Sequence, residues 1–221
     1  MTDRHAALLS ALFPGLGQLV RGRHRSALLA CTATLLLVGL SFWSGRAADR
    51  AVEVLVFMVL ALPCWALQSY DAYLGPGDTG PDALRTWTAV WQQGHDIRFL
   101  GLLLLISALN DTWIILKHLD YLLPFYCTKL DGIAGFATKA ISPALHLAVG
   151  YGFLLHRRWA LFIYLIYAAY GLTNGMVNLT CFGPGRIRNT LLAAIVLSTL
   201  YILWRRQVLL TNRPAGAGIP L

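Results

Sequence analysis

Asn110 and Asp111, His118 and Asp120, His146, Asn174 and Asn178, and Arg186 and Arg188 stand in or at the ends of apolar stretches. A carboxylate, imidazoles, carboxamides and guanidiniums so placed would line a small polar cavity open to the outer face of a membrane, with Asp111 and His146 facing its interior. Ionisable groups cost free energy in hydrocarbon, so their presence there points to an ion or substrate site. Asp111 lies well inside an apolar run rather than near its end. The plainer reading, which the sequence favours, is that Asp111 pairs with Lys117, Arg186 or Arg188, or caps locally with Thr112.

Other chemistries find less support. His118 and His146 fall on the same side, as shared haem ligation requires. Neither is deep in an apolar run, and no histidine recurs at matching depth on two runs, so no haem or other cofactor is expected. No H-E-x-x-H or C-x-x-C spacing occurs, and no metal is expected. A recognisable nucleophile and base are also missing, which argues against an enzyme. Cys31 and Cys64 fall in apolar runs and read as small hydrophobes, whereas Cys127 and Cys181 fall in outer connections. There an oxidising compartment permits a disulfide, against the alternative of two free thiols.

These residues must be positioned by membrane helices. Of 221 residues, 57% are hydrophobic and only 13% charged, and the mean hydropathy is +0.60, too little charge for a water-facing surface. Apolar runs at 26–43, 51–69, 99–116, 143–155, 159–177 and 190–204 predict an all-α, polytopic integral membrane helical bundle with about six transmembrane helices. The fourth is short unless it begins near Ala137. The 82–99 stretch carries Leu84, Trp87, Val90 and Trp91 at helical spacing, which predicts an interfacial amphipathic helix ending at Gly94. Leu130, Ile133, Phe136 and Ala140 suggest a second, shorter surface helix. Gly171 and Gly175 suit close helix contact, while Tyr164, Tyr167 and Tyr170 share one face and read as core or lipid contact.

The formal charge of +8 does not point to nucleic acid, because Lys and Arg fall at the ends of apolar runs and not on one periodic face. Anionic lipid headgroups at the inner arginines are the expected counterions. Arg21, Arg23 and Arg25 and the pairs Arg157-Arg158 and Arg205-Arg206 then lie inside, which places both termini in the cytoplasm. A bacterial inner membrane is the expected location. The short apolar stretch 6–13 lacks a cleavage site and reads as retained.

Pro14-Gly15-Leu16-Gly17-Gln18, a basic turn, one apolar run, a short return and a second run ending in Tyr70-Asp71-Ala72-Tyr73 form an ordered set. Over about residues 8–75 this resembles a widespread bacterial two-helix module, similar to TM2-domain proteins, whose members carry "PGLGQ" and "DAY". After Gln18 this chain has Leu19-Val20-Arg21-Gly22, so the turn is kept while its surface departs from the family pattern. The resemblance implies an architecture and not a reaction. Pro14 and the glycines permit a reversal of the chain, and Asp71 is either paired with Arg21, Arg23 or Arg25 or solvated.

The organisation expected is a TM2-like module at 1–75, a linker with the interfacial helix at 76–98, a four-helix bundle at 99–210 and a disordered tail at 211–221. The function expected is that of a non-enzymatic scaffold or accessory subunit, acting through lipid contacts and either a membrane-protein partner or a second copy of itself. The alternatives are a small transporter or channel with an outward polar cavity near Asp111, and a membrane enzyme acting on lipid or quinone.

Overall fold

The computed structural model describes residues 3–75 and 82–211. Helices make up 84% of the described residues, and the strands among them are one two-residue pair, so the class is all-α. The chain divides into two compact units, Met1–His95 and Asp96–Leu221. The residues 76–81 of the expected linker and 212–221 of the expected tail lie outside the described residues.

In the first unit α1 (Asp3–Leu12) turns through Pro14 and Gly15 into the short α2 (Leu16–Val20), and α3 (His24–Ala47) follows. Asp49 caps α4 (Arg50–Val56), its side chain accepting from Val52 N at 3.0 Å. A π-helical turn at Phe57–Ala61 joins α4 to α5 (Leu62–Leu74). Pro63 lacks an N–H for the Val59 carbonyl and its ring crowds that turn, so the helix widens there and continues. α1 packs along α5, and α3 packs along α4. α6 (Asp82–Gln93) stops at Gly94, whose φ is +69°. Thr86 and Val90 of α6 are buried, while Leu84 and Trp87 remain exposed.

The second unit begins within α7 (His95–Lys117), and a hairpin of β1 (Pro124–Phe125) and β2 (Thr128–Lys129) leads to α8 (Gly132–Leu154). α9 (Arg158–Phe182), α10 (Arg186–Trp204) and the short α11 (Arg206–Leu210) complete it. α7 and α8 meet backbone to backbone at Gly101 and Gly150, where a Cβ on Gly101 would stand 2.8 Å from the Gly150 carbonyl oxygen. Gly171 and Gly175 of α9 make room for the side chains of Ile195 and Leu192 of α10. Ile97, Val149, Phe153, Leu161, Tyr164 and Ile202 lie in the core of this unit.

α8 corrects one expectation. The separate surface helix over 130–140 and the span starting at Pro143 are one continuous helix with Pro143 inside it. A proline removes one bond and crowds the preceding turn. Here the turn is held by its surroundings: Gly135 lies against the Leu130 backbone, Thr138 and Lys139 are buried, and Lys139 Nζ donates to the Leu119 carbonyl at 2.9 Å.

Among the described residues five helices are long and apolar enough to cross a membrane: His24–Ala47, Val52–Leu74, His95–Lys117, Gly132–Leu154 and Arg158–Phe182. Arg188–Trp204 is a shorter apolar helix. Their outward faces carry large apolar side chains, among them Leu28, Leu29, Leu36, Leu109, Phe162 and Leu197.

Candidate functional site

Asp111 sits on α7 one and a half turns before its end, and Ser142 and His146 are four residues apart on one face of α8. Asp111 Oδ2 lies 3.2 Å from His146 Nδ1, and Ser142 Oγ donates to the same oxygen at 3.4 Å. Nδ1 makes no hydrogen bond, so this contact is electrostatic. His146 Nε2 is 2.8 Å from the Tyr167 hydroxyl of α9, with the two rings edge to face at 4.9 Å. His146 is 7% exposed, whereas the Asp111 side chain is 29% exposed and forms the open end of the row. Tyr167 thus takes a polar role that its place in a tyrosine series does not signal. Ser142 escaped the sequence reading too, although its i,i+4 relation to His146 was visible.

Two of the other partners considered for Asp111 are engaged elsewhere. Thr112 donates to the Ala108 carbonyl at 2.7 Å. Arg188 bonds the Gly183 carbonyl and lies over the Phe182 ring, its guanidinium 5.9 Å from the centroid. Lys117 and Asn110 are exposed, and the side chain of Arg186 lies outside the described residues. His118 is exposed as well. Asp120 lines a cavity of about 170 Å³ with Leu119, Asp131, Phe136 and Lys139, and none of Asp111, Ser142, His146 or Tyr167 is among its walls.

Asn174 and Asn178 serve the β hairpin. Tyr126 and Cys127 both have positive φ, 43° and 68°, as a two-residue hairpin turn demands and as non-glycine residues seldom adopt. Asn174 Oδ1 accepts from Tyr126 N at 2.8 Å, and Asn178 Oδ1 accepts from Cys127 N at 2.9 Å. Asn178 Nδ2 donates to the Pro124 carbonyl at 3.1 Å. One turn further along α9, Cys181 is disulfide-bonded to Cys127, with Cα atoms 5.7 Å apart. Asparagine, asparagine and cysteine on one helical face therefore clamp the turn. Although Asn178-Leu179-Thr180 is a glycosylation sequon, the buried Asn178 amide is committed. Asn178→Ala is expected to cost about 1–3 kcal/mol by leaving the Cys127 N–H unpaired, read by thermal unfolding in detergent. Expression in a glycosylating host is expected to give no mobility shift sensitive to glycosidase.

The first unit holds its own polar hub. Gly15 has φ +86° and Gly17 packs so tightly on α1 that a Cβ would overlap the Ala6 carbonyl. That approach brings Ser10 Oγ within 2.9 Å of Gly17 N and 2.7 Å of Gln18 Oε1, the serine donating to the carboxamide. Gln18, 1% exposed, then donates through Nε2 to the Gln68 carbonyl at 2.8 Å and to Asp71 Oδ2 at 3.1 Å. Arg23, and neither Arg21 nor Arg25, holds Asp71 in a fork, with Nη1 3.0 Å from Oδ2 and Nη2 3.2 Å from Oδ1. Thr86 of α6 donates to Oδ1 at 2.9 Å. Arg21 pairs instead with Asp3. Tyr73 stays outside the hub, stacked on Tyr70 at 6.2 Å. Pro14 and the two glycines shape the turn, while Gln18 and Asp71 join α1, α2, α3, α5 and α6.

A buried pair not foreseen from sequence closes the second unit. Arg205 reaches Asp96 through Nε at 2.6 Å and Nη2 at 2.8 Å, and the Tyr201 hydroxyl donates to Asp96 Oδ2 at 2.8 Å. The available signal was an acidic residue in the first turn of an apolar helix. No group of three metal-ligating residues occurs among the described residues. Comparison with family models, curated proteins and solved structures gives no match for this chain.

Proposed function

We propose that this chain is a multi-pass membrane protein of the bacterial inner membrane that acts as a non-enzymatic scaffold or accessory subunit. One observation carries the reading: polar side chains close on one another inside each unit, around Asp71, around the hairpin and between Asp96 and Arg205, while the long helices turn large apolar side chains outward. Such a surface suits hydrocarbon and helix partners better than water. With α10, about 28 Å long at helical rise, as a sixth crossing, both termini fall on the cytoplasmic face. In this reading the first unit is the TM2-like module, α6 lies at the inner headgroup layer with Trp87 and Leu84 in lipid, and the inner arginines meet anionic headgroups.

Purification of the full chain in two mild detergents tests the scaffold reading. The same membrane partner, or a second copy of the chain, is expected in fixed stoichiometry from both. A monodisperse single chain in both overturns it. A second reading, a small transporter or channel, is favoured by the Asp111–His146 contact between apolar helices.

A further inference from the structure

We propose that Asp111 and His146 form a proton-binding site, holding one exchangeable proton that enters and leaves through the Asp111 carboxylate. The inference rests on the pair itself, deepens the transporter reading, and does not require that the protein move a cargo.

The ligand follows from the groups present. A carboxylate and an imidazole 3.2 Å apart, outside any group of three metal-ligating residues among the described ones, suit a proton shared between them. The Tyr167 hydroxyl gives Nε2 a partner in either protonation state. When it donates to His146 Nε2, the single imidazole proton sits on Nδ1, facing Asp111 Oδ2. When a further proton arrives, the hydroxyl rotates and accepts from Nε2–H, and both ring nitrogens carry hydrogen. The proton comes from water, no bond between heavy atoms forms or breaks, and the charge of the pair goes from −1 to 0.

The surroundings leave that charge to the pair. Facing His146 are Asp111 from α7 and Tyr167 from α9, with the Tyr164 ring 6.0 Å beyond and bonded to Ser198 and Thr199. On α8 itself Lys139 is spent on the Leu119 carbonyl, and on α7 Lys117 is exposed. No lysine or arginine among the described residues is within ion-pair distance of Asp111. His146 Nδ1 is buried and makes no hydrogen bond as it stands, so a small shift on protonation gains a charge-assisted bond to Oδ2. The bond would form about 15 Å along α7 from its Gly101 crossing with Gly150, so proton binding tightens the outer half of α7 onto α8.

The test is infrared difference spectroscopy of the full chain in vesicles of phosphatidylcholine and phosphatidylglycerol, titrated from alkaline to acid pH. The wild type is expected to show an imidazole-to-imidazolium change coupled to a perturbed carboxylate band. His146→Gln should remove that coupled change, and Asp111→Asn should weaken proton affinity about tenfold or more, because the opposite charge is gone. Tyr167→Phe keeps the ring and serves where the other variants fail to fold; it should lower the titration midpoint, since the bond the hydroxyl accepts from the imidazolium is charge-assisted and the one it donates to the neutral ring is not. An unmoved midpoint in either folded Asp111→Asn or folded Tyr167→Phe overturns the proposal, as does persistence of the coupled change in His146→Gln. Each variant is checked for wild-type elution and helix content. Lack of proton flux across the same vesicles, with the titration intact, would count against the transporter reading alone.

Discussion

Gly17→Ala is expected to remove most folded protein from the membrane fraction, although it adds a single methyl group. That methyl would overlap the Ala6 carbonyl and stand 2.7 Å from Ser10 Oγ. The first obstacle is backbone on a helix already packed along α5, so it cannot swing away as a side-chain tip would. Moving α1 outward separates Ser10 from Gln18 and Gly17 N, and a buried carboxamide then loses one of its three bonds. Overpacking with the broken bond should cost about 3 kcal/mol or more, a large part of a typical folding free energy. Gly22→Ala is the matched control. Gly22 has φ +75° but nothing within 4 Å of its added Cβ, so it bears only the left-handed strain of about 1–2 kcal/mol. Detergent extraction followed by fluorescence-detected size exclusion should separate the two variants widely. Equal yields would mean that the close approach of α1 and α2 is not what assembles the unit.

Breaking the Asp96–Arg205 pair from one side is expected to lower the stability of the second unit by about 3–5 kcal/mol, because the remaining charge stays buried without its partner. Arg205 is 7% exposed, and its fork on Asp96 is completed by the Tyr201 hydroxyl. Arg205→Met leaves a carboxylate facing a phenol, and Asp96→Leu takes the carboxylate away from a buried guanidinium. The double variant Asp96→Leu with Arg205→Met should regain most of the loss, since two apolar groups need no partner. Thermal unfolding of all four proteins in one detergent completes the cycle. If each single change costs under about 1 kcal/mol, the pair behaves as a solvated surface bridge.

How much of this was legible depended on sequence separation. Runs of apolar residues located every long helix, and Leu84, Trp87 and Val90 located α6, because periodicity is a local property. Pro143 misled for the same reason. Its local effect is to interrupt a helix, but the burial of Thr138 and Lys139 comes from the loop around Leu119 and Leu130, which no window around the proline contains. Three arginines at alternate positions offered Asp71 equal partners by spacing, and only the geometry of the α2–α3 turn selects Arg23. Tyr164, Tyr167 and Tyr170 look alike on a helical wheel. In space they meet Ser198 and Thr199, His146, and the aromatic rings of Phe125 and Tyr126 respectively. The candidate cavity residues divide in the same manner, since Asn174 and Asn178 shape a turn while Asp111 and His146 face each other.

The widened turn at Phe57–Ala61 inserts one residue into an otherwise regular spiral, and so sets the angular phase of everything that follows it. One residue corresponds to about 100° of rotation. Gln68 and Asp71 look toward Ala30, Gln18 and Arg23 only because that offset has been added upstream. The distance from Pro63 to the "DAY" end is therefore a fixed gear ratio: a residue added to that stretch would swing Asp71 about 100° away from Arg23.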